Sequence, residues 1–388
     1  YNLMKKKIIY WSPCLNPVGT IKSTINSAVS LSKYSKDYEV TIINACGEWD
    51  KFVKDLENNS VNVINLNFSY FKFLPKRGYL GSRFSYILIY LFSFFPLLFF
   101  LKKQQPDIIV LHLITSLPLT LLNFFTFRTK FILRISGYPK LNLLRRFFWI
   151  KVSKKLKCIT CPTTGLKSEL LAKNIFPDNK IFFLPDAIIE MHKILKIQQN
   201  EIKNLNLPHN KKIIISVGRF TKQKNFSYLL NEFLSFSKIN DKYILIILGD
   251  GEEKSDLEEI IKKNNLKNKV FLPGYKNNVY QYMKKSDIFI LSSLWEEVGF
   301  VMVEAAINNL YVIASDCPNG PIEFLNQGKN GILFKNNIKN KLCESLLIYD
   351  ELSRDKIFYD KIELKKNSKK YTKFRHFVEF NKILKINF

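Results

Sequence analysis

The sequence predicts an α/β protein built from two Rossmann-like halves facing across a cleft, and three observations carry that prediction. The chain has 388 residues, more than one hydrophobic core usually serves, and its hydrophobic share of 47% is ample for two. Short β-branched runs alternate with longer helical patterns from end to end, the signature of parallel sheets wrapped by helices. A polar stretch holding Pro185 and Pro208, with no strand pattern of its own, interrupts the alternation. The boundaries read 1–186 for the first half, 187–210 for the linker, 211–356 for the second half and 357–388 for a basic helical segment expected to cross back toward the first half.

Taken in order, the first half offers strands at Lys7–Trp11, Glu39–Ala45, Val61–Leu66, Asp107–Leu111, Phe131–Ile135, Cys158–Cys161 and Ile181–Leu184. The second half restarts at Lys212–Val217 and continues through Tyr243–Leu248, Lys269–Leu272, Ile288–Leu291, Tyr311–Ala314 and Gly331–Phe334. Ligands of such sheets bind at the carboxyl ends of the strands, so two facing halves put the expected site in the cleft.

Lys and Arg outnumber Asp and Glu by 60 to 33, a formal charge of +27. That favours anionic partners: nucleic acid, an anionic membrane face or phosphorylated small molecules. A proteome rich in Lys, Asn and Ile produces the same excess without a partner. No helix-turn-helix, zinc or RNA-binding signature is present, so no nucleic-acid partner is expected. The six cysteines are scattered through a chain too large to need staples, which reads as a reducing compartment. Cys158 and Cys161 form a lone CxxC inside an expected strand, where that spacing sends the two side chains to opposite faces and into the core. The basic Lys5–Lys7 precedes an apolar run, Ile8–Trp11, too short for a signal peptide, so a cytoplasmic protein is expected.

Phe84–Leu101 is apolar enough to reach the length of about 18 residues at which a membrane span is considered. Spanning would strand residues 1–83 on the far side from every later strand, and the first sheet could not close. A helix packed in the first half, or one lying shallowly at a bilayer surface, remains. Leu141–Lys157 interleaves aromatic and aliphatic residues with Arg145, Arg146, Lys151, Lys154, Lys155 and Lys157, which suits an anionic interface and equally an amphipathic helix covering the sheet. Peripheral attachment to the inner face of the cytoplasmic membrane is the expectation.

Four segments carry chemistry. Gly19 stands before a helix, where it permits close backbone approach to a ligand and where free N–H groups attract an anion, although an ordinary strand-to-helix turn looks the same. In ISVGRFTKQKN, Arg219 and Lys224 follow a strand and can hold a diphosphate between them. In ILGDGEE, Gly249 and Gly251 end a strand and open a helix, a pattern suited to a nucleotide and also to a plain β-turn-α unit. In SSLWEEVGFVMVEAAINN, Glu296 stands in a loop and Glu304 one turn into a helix. Between them Gly299, Phe300 and Val301 offer backbone N–H groups. Carboxylates suit paired sugar hydroxyls, since each accepts two hydrogen bonds.

The order Gly-Arg-x4-Lys, Gly-Asp-Gly-Glu, Phe-Leu-Pro-Gly-Tyr and Glu-x7-Glu resembles the retaining glycosyltransferases of family 4, glycosyl transferases group 1, with the GT-B fold. The resemblance is strong over residues 210–335 and weaker, though continuous, over the first half. It implies Arg219 and Lys224 on the donor diphosphate, Glu304 on the ribose and Glu296 on the transferred sugar, with Tyr275 contacting the base through its backbone. It also implies a catalytic-site histidine at His112, closing Pro-Asp-Ile-Ile-Val-Leu-His. The sequence departs from the family pattern in having one glycine, Gly19, where two often stand, and Asn319-Gly320-Pro321 in place of a later Gly-Gly.

No Asp-x-Asp occurs, so no divalent metal and no cofactor are expected, with Arg219, Lys224 and helix N-termini stabilising the leaving group instead. The implied activity is transfer of a hexosyl or N-acetylhexosaminyl group, with retention, from a nucleotide-sugar, UDP by family habit, to a glycolipid or polysaccharide precursor. A nucleotide-sugar epimerase on the same fold and a non-catalytic basic membrane- or nucleic-acid-binding protein are the rival readings.

Overall fold

The structure, a computed structural model, describes residues 5–15, 19–76, 79–139, 141–192, 194 and 210–386. Most of the expected linker, 195–209, lies outside the described residues. The chain forms two compact units, 1–188 with 373–388, and 189–372.

The first unit is a run of β1 (Lys6–Trp11), α1 (Gly19–Tyr34), β2 (Tyr38–Asn44), α2 (Val53–Glu57), β3 (Val61–Asn65), α3 (Tyr79–Gln104), β4 (Ile108–Leu111), α4 (Ser116–Phe124), β5 (Lys130–Arg134), α5 (Leu143–Ser153), β6 (Cys158–Cys161), α6 (Thr164–Ala172) and β7 (Ile181–Phe183). Its seven strands are parallel in the order β3-β2-β1-β4-β5-β6-β7. Successive side chains leave a strand on opposite faces, so Ile9, Trp11, Ile109 and Leu111 enter one core while Ile8, Tyr10, Ile108 and Val110 enter the other. Cys158 and Cys161 divide in the same way, and both are buried.

The second unit runs through β8 (Lys212–Val217), α7 (Phe226–Ile239), β9 (Tyr243–Leu248), α8 (Lys254–Lys263), β10 (Val270–Gly274), α9 (Val279–Lys284), β11 (Ile288–Leu291), α10 (Phe300–Ile307), β12 (Tyr311–Ser315), α11 (Gly320–Phe324), β13 (Ile332–Phe334), α12 (Lys341–Glu351) and α13 (Arg354–Ser368). Its six strands are parallel in the order β10-β9-β8-β11-β12-β13. Strand ends differ from the sequence reading by a residue or two; β10 runs on to Gly274 through an irregular register after Phe271.

The helical segment expected over residues 357–388 is two helices in two units. Helix α13 packs on α10 in the second unit, and α14 (Lys373–Lys385) packs on α1 in the first, burying Phe380, Ile383 and Leu384. His376 anchors α14, bonding to the Pro185 carbonyl at 2.6 Å and to Ser27 at 2.8 Å.

In each unit the sheet reverses its order beside its first strand, between β1 and β4 and between β8 and β11. Loops leave such a switch point in opposite directions and open a crevice at the carboxyl ends.

Helix α3, which contains the apolar run, connects β3 to β4 as a crossover, and β4 pairs directly with β1. Among the described residues it is long and apolar enough to cross a membrane, yet the strands before and after it, β3 and β4, belong to one sheet, with β2 and β1 between them. Its buried stripe is Ser85, Ile89, Ser93, Leu97 and Leu101, each one helical turn from the next. The opposite face exposes Phe84, Ile87, Leu91, Phe95 and Phe99. This departs from the usual amphipathic pattern, because two serines share the inward stripe with Ile89, Leu97 and Leu101 while large apolar groups also face out. Helix α5 likewise exposes Leu143, Leu144 and Phe147 while burying Trp149 and Val152.

Candidate functional site

In the second unit the loops after β8 and β11 lie at the switch point and are fastened together. Leu294 N–H donates to the Gln223 carbonyl at 2.8 Å, Gln223 Nε2 to the Trp295 carbonyl at 2.9 Å, and Ser292 Oγ to the Lys224 carbonyl at 2.8 Å. Within this frame Lys224 Nζ forms an ion pair with Glu296 Oε1, which also accepts from Ser293 Oγ at 2.7 Å. The side chains of Lys224 and Glu296 are only 15% and 10% exposed. Ser293 is fixed in turn because its carbonyl accepts from Ser315 Oγ at 2.6 Å. Arg219 shares the β8 loop with Lys224 but is exposed.

Gly249 takes a backbone φ of +151°, and a Cβ there would lie 1.8 Å from the Gly218 carbonyl oxygen. A Cβ on Gly251 would meet the Phe220 carbonyl oxygen at 2.4 Å. Phe220 N–H donates to the Asp250 carbonyl at 2.9 Å, and Glu253 N–H donates to the Phe220 carbonyl at 3.0 Å. The close backbone approach at these glycines therefore comes from the protein's own β8 loop, whose Gly218 and Phe220 lie against the end of β9.

Gly299 has φ +73° and caps α10, a left-handed conformation that other residues adopt only with strain. Phe300 and Val301 form the first turn, whose N–H groups have no acceptor within the helix. The preceding loop is pressed against Gly320, where a Cβ would sit 2.4 Å from the Glu297 carbonyl oxygen. Glu304 is buried on α10 and accepts from Tyr280 Oη at 3.0 Å. Burial and the neighbouring Glu304 push the Tyr280 phenol up, so it stays a donor. Tyr275, past the end of β10, is 72% exposed.

In the first unit His112 follows β4 at the other switch point. Its N–H donates to the Trp11 carbonyl at 2.9 Å, and its Nδ1 lies 3.2 Å from Thr24 Oγ1, which is 3.0 Å from Ser12 Oγ. Burial first, then the charge of Arg134 and the nearby His376, hold the imidazole well below its usual pKa, so it is neutral. Arg134, at the end of β5, is paired with Asp186 at 2.5 Å, and Asp186 also accepts from Ser23 Oγ. Gly19 opens α1, and among the described residues nothing lies within 4 Å of where a Cβ would stand.

The structure thus joins Lys224 directly to Glu296 and sets Arg219 and Gly249 beside their loop. It places Glu304 with Tyr280, and His112 with Thr24, Ser12 and Arg134. Sequence reasoning missed Tyr280, Arg134 and Asp186. Tyr280 stands on a short helix just after the Pro-Gly-Tyr segment; Arg134 and Asp186 each close or follow a strand, but they are far apart in the chain and nothing in the sequence pairs them. Among the described residues no group of three or more His, Cys, Asp or Glu side chains is arranged to hold a metal ion.

Residues 197–367 match the family model described as "Glycosyl transferases group 1". The chain is 30% identical over 253 residues to an uncharacterized glycosyltransferase of Methanocaldococcus jannaschii, covering 60% of this chain and 61% of that protein. It is 28% identical over 242 residues to the N-acetylgalactosamine-N,N'-diacetylbacillosaminyl-diphospho-undecaprenol 4-alpha-N-acetylgalactosaminyltransferase of Campylobacter jejuni, covering 59% of this chain and 64% of that one. The chain thus spans about three fifths of the length of these relatives. The structure superposes on Anabaena HepE, solved in complex with UDP and glucose, with a TM-score of 0.71 at 15% identity, over 98% of this chain and 99% of that one. The chain shares the fold of this solved glycosyltransferase neighbour, two parallel-sheet α/β units, and its second unit carries the match to the glycosyl transferases group 1 model.

Proposed function

We propose that this protein is a retaining family 4 glycosyltransferase that moves a hexosyl or N-acetylhexosaminyl group from a UDP-sugar to a hydroxyl of a lipid-linked or saccharide precursor in cell-surface glycan synthesis. The observation that carries the reading is the Lys224–Glu296 pair at the switch point of the second unit, with Arg219 on the same loop. A donor diphosphate competes with Glu296 for the Lys224 ammonium, and a sugar hydroxyl competes with Lys224 for the Glu296 carboxylate. One substrate bearing both groups can replace the ion pair with two contacts of the same kind.

In this reading the acceptor hydroxyl attacks on the face from which the diphosphate departs, and the leaving phosphate takes its proton. Arg219 and Lys224 stabilise the charge that develops there, with the first-turn N–H groups of α10 adding to them. No divalent metal is assigned a role. Glu304 serves the ribose hydroxyls and Tyr275 the base; His112, being neutral, serves as a hydrogen-bonding group rather than a cation. The outward apolar faces of α3 and α5, beside the basic residues of Leu141–Lys157, support attachment to an anionic membrane surface on its cytoplasmic side. The names of the Campylobacter relative and of the HepE complex favour a lipid-linked acceptor and a uridine donor.

The test is release of UDP from a panel of UDP-sugars with and without a lipid-linked saccharide, followed by NMR of the new anomeric centre. Acceptor-dependent release with an unchanged anomeric configuration is expected. A new sugar isomer formed with no acceptor present supports an epimerase instead, and inversion overturns the retaining assignment.

A further inference from the structure

The first unit holds two adjoining cavities. The larger, about 790 Å³, lies between α3, α5 and the start of α4, with Tyr86, Ile87, Tyr90, Ile114 and Phe148 among its walls. The smaller, about 400 Å³, is bounded by His112, Arg134, Ser136 and Tyr138. Arg83, Thr115, Arg145 and Trp149 line both, so the two adjoin along these residues, and together they make a space with an apolar end and a cationic end.

The chemistry of the two ends is distinct. Among the described residues no carboxylate lines either cavity, while three arginines do. Arg134 is buried and paired through Nη2 with Asp186, yet its Nε has no hydrogen-bond partner. A buried guanidinium N–H left in that condition marks a place for an acceptor. Arg83 and Arg145 add forked donors of the kind that match phosphate oxygens. At the other end, Ile87 stands one helical turn from the exposed Leu91, so the apolar cavity runs on to the outward face of α3.

We propose that this space is a subsite for an isoprenoid diphosphate: phosphate oxygens against Arg83, Arg134 and Arg145, and the first isoprene units between Tyr90 and Phe148. It rests on the lipid-linked acceptor reading above and gives it a location and a chemistry. Charge complementarity selects the head, and the continuous apolar wall selects the tail. A free phosphate uses only one end and a neutral lipid only the other.

The experiment is calorimetric titration of the full chain with farnesyl diphosphate, farnesol and inorganic pyrophosphate, each in saturating UDP so that Arg219 and Lys224 are occupied. Farnesyl diphosphate is expected to bind at least tenfold more tightly than either partial ligand. In R83A/R145A, whose altered side chains are exposed and whose fold is checked by thermal unfolding, that advantage disappears while UDP binding is retained. Y90A weakens farnesyl diphosphate but leaves pyrophosphate unchanged. Equal binding of pyrophosphate, unchanged affinity in R83A/R145A, or no binding of farnesyl diphosphate overturns the proposal. Tight, arginine-dependent binding without transfer from any UDP-sugar upholds the subsite and fails the transferase reading.

Discussion

Lys224 and Glu296 form one ion pair that ties the loop after β8 to the loop after β11, the two strands between which the second sheet reverses its order. The two groups assigned to the charged and the neutral ends of a donor are therefore each other's partner. Lys224→Ala is expected to lower kcat by about 10²–10³-fold, the usual loss of one preorganised charge-stabilising donor. Glu296→Gln keeps the Ser293 hydrogen bond and is expected to raise KM for the sugar donor while UDP alone binds normally. Steady-state kinetics with a UDP binding assay separate the two; wild-type turnover in Lys224→Ala contradicts the assignment.

Two buried histidines make the first unit acid-sensitive. His112 is held well below its ordinary pKa and His376 is lowered to about 4, in both cases chiefly by burial. The unfolded chain takes up protons near pH 6.5 that the native state refuses. Stability from these groups is complete above pH 6.5 and is lost as pH falls toward their folded values, by roughly 1.4 kcal/mol per pH unit for each histidine. Tm measured from pH 7.5 to 5 should fall with decreasing pH. His376→Gln, whatever its cost at neutral pH, should flatten that fall.

Gly249 and Gly19 should behave in opposite ways. Gly249→Ala places a methyl against the Gly218 carbonyl and should destabilise the second unit by about 2 kcal/mol or more, read by urea unfolding. Gly19→Ala meets open space and should change stability by less than about 0.5 kcal/mol. A raised donor KM in Gly19→Ala with stability unchanged would identify a ligand-facing glycine; no change would identify an ordinary helix start.

The outward face of α3 can be altered without touching the core. Phe84→Ser, Phe95→Ser and Phe99→Ser combined should leave Tm nearly unchanged, because these rings are exposed, and should reduce flotation with anionic liposomes several-fold. Wild-type protein that fails to float at low salt rules out peripheral attachment.

The sheets were legible because the central strands, such as β4, β9, β11 and β12, are short apolar runs buried on both faces, a pattern that survives without knowing any partner. The division of Cys158 from Cys161 was legible for the same reason: the two-residue strand period alone decides it. The individual residues proposed for the donor were also visible, but their pairing was not. Lys224 and Glu296 are brought together by β8 lying beside β11, a fact of strand order rather than of spacing. The glycines of ILGDGEE suggested a nucleotide, whereas the backbone that fills their space is the protein's own. Arg134 and Asp186 escaped notice because an ion pair across 52 positions leaves no local pattern. The serines inside α3 escaped it because hydropathy records composition and not which face is turned in.

The return of α14 to the first unit makes that unit discontinuous in the chain, which sets an order on synthesis. Its sheet can form once β7 leaves the ribosome, but the groove on α1 that receives Phe380, Ile383 and Leu384 stays open while residues 189–372 are translated. At about 5–20 residues per second this is a delay of roughly 10–40 s. During that interval the nascent first unit presents an apolar groove that only the end of its own chain is shaped to close, and a chaperone covering it would compete with α14 for the same side chains.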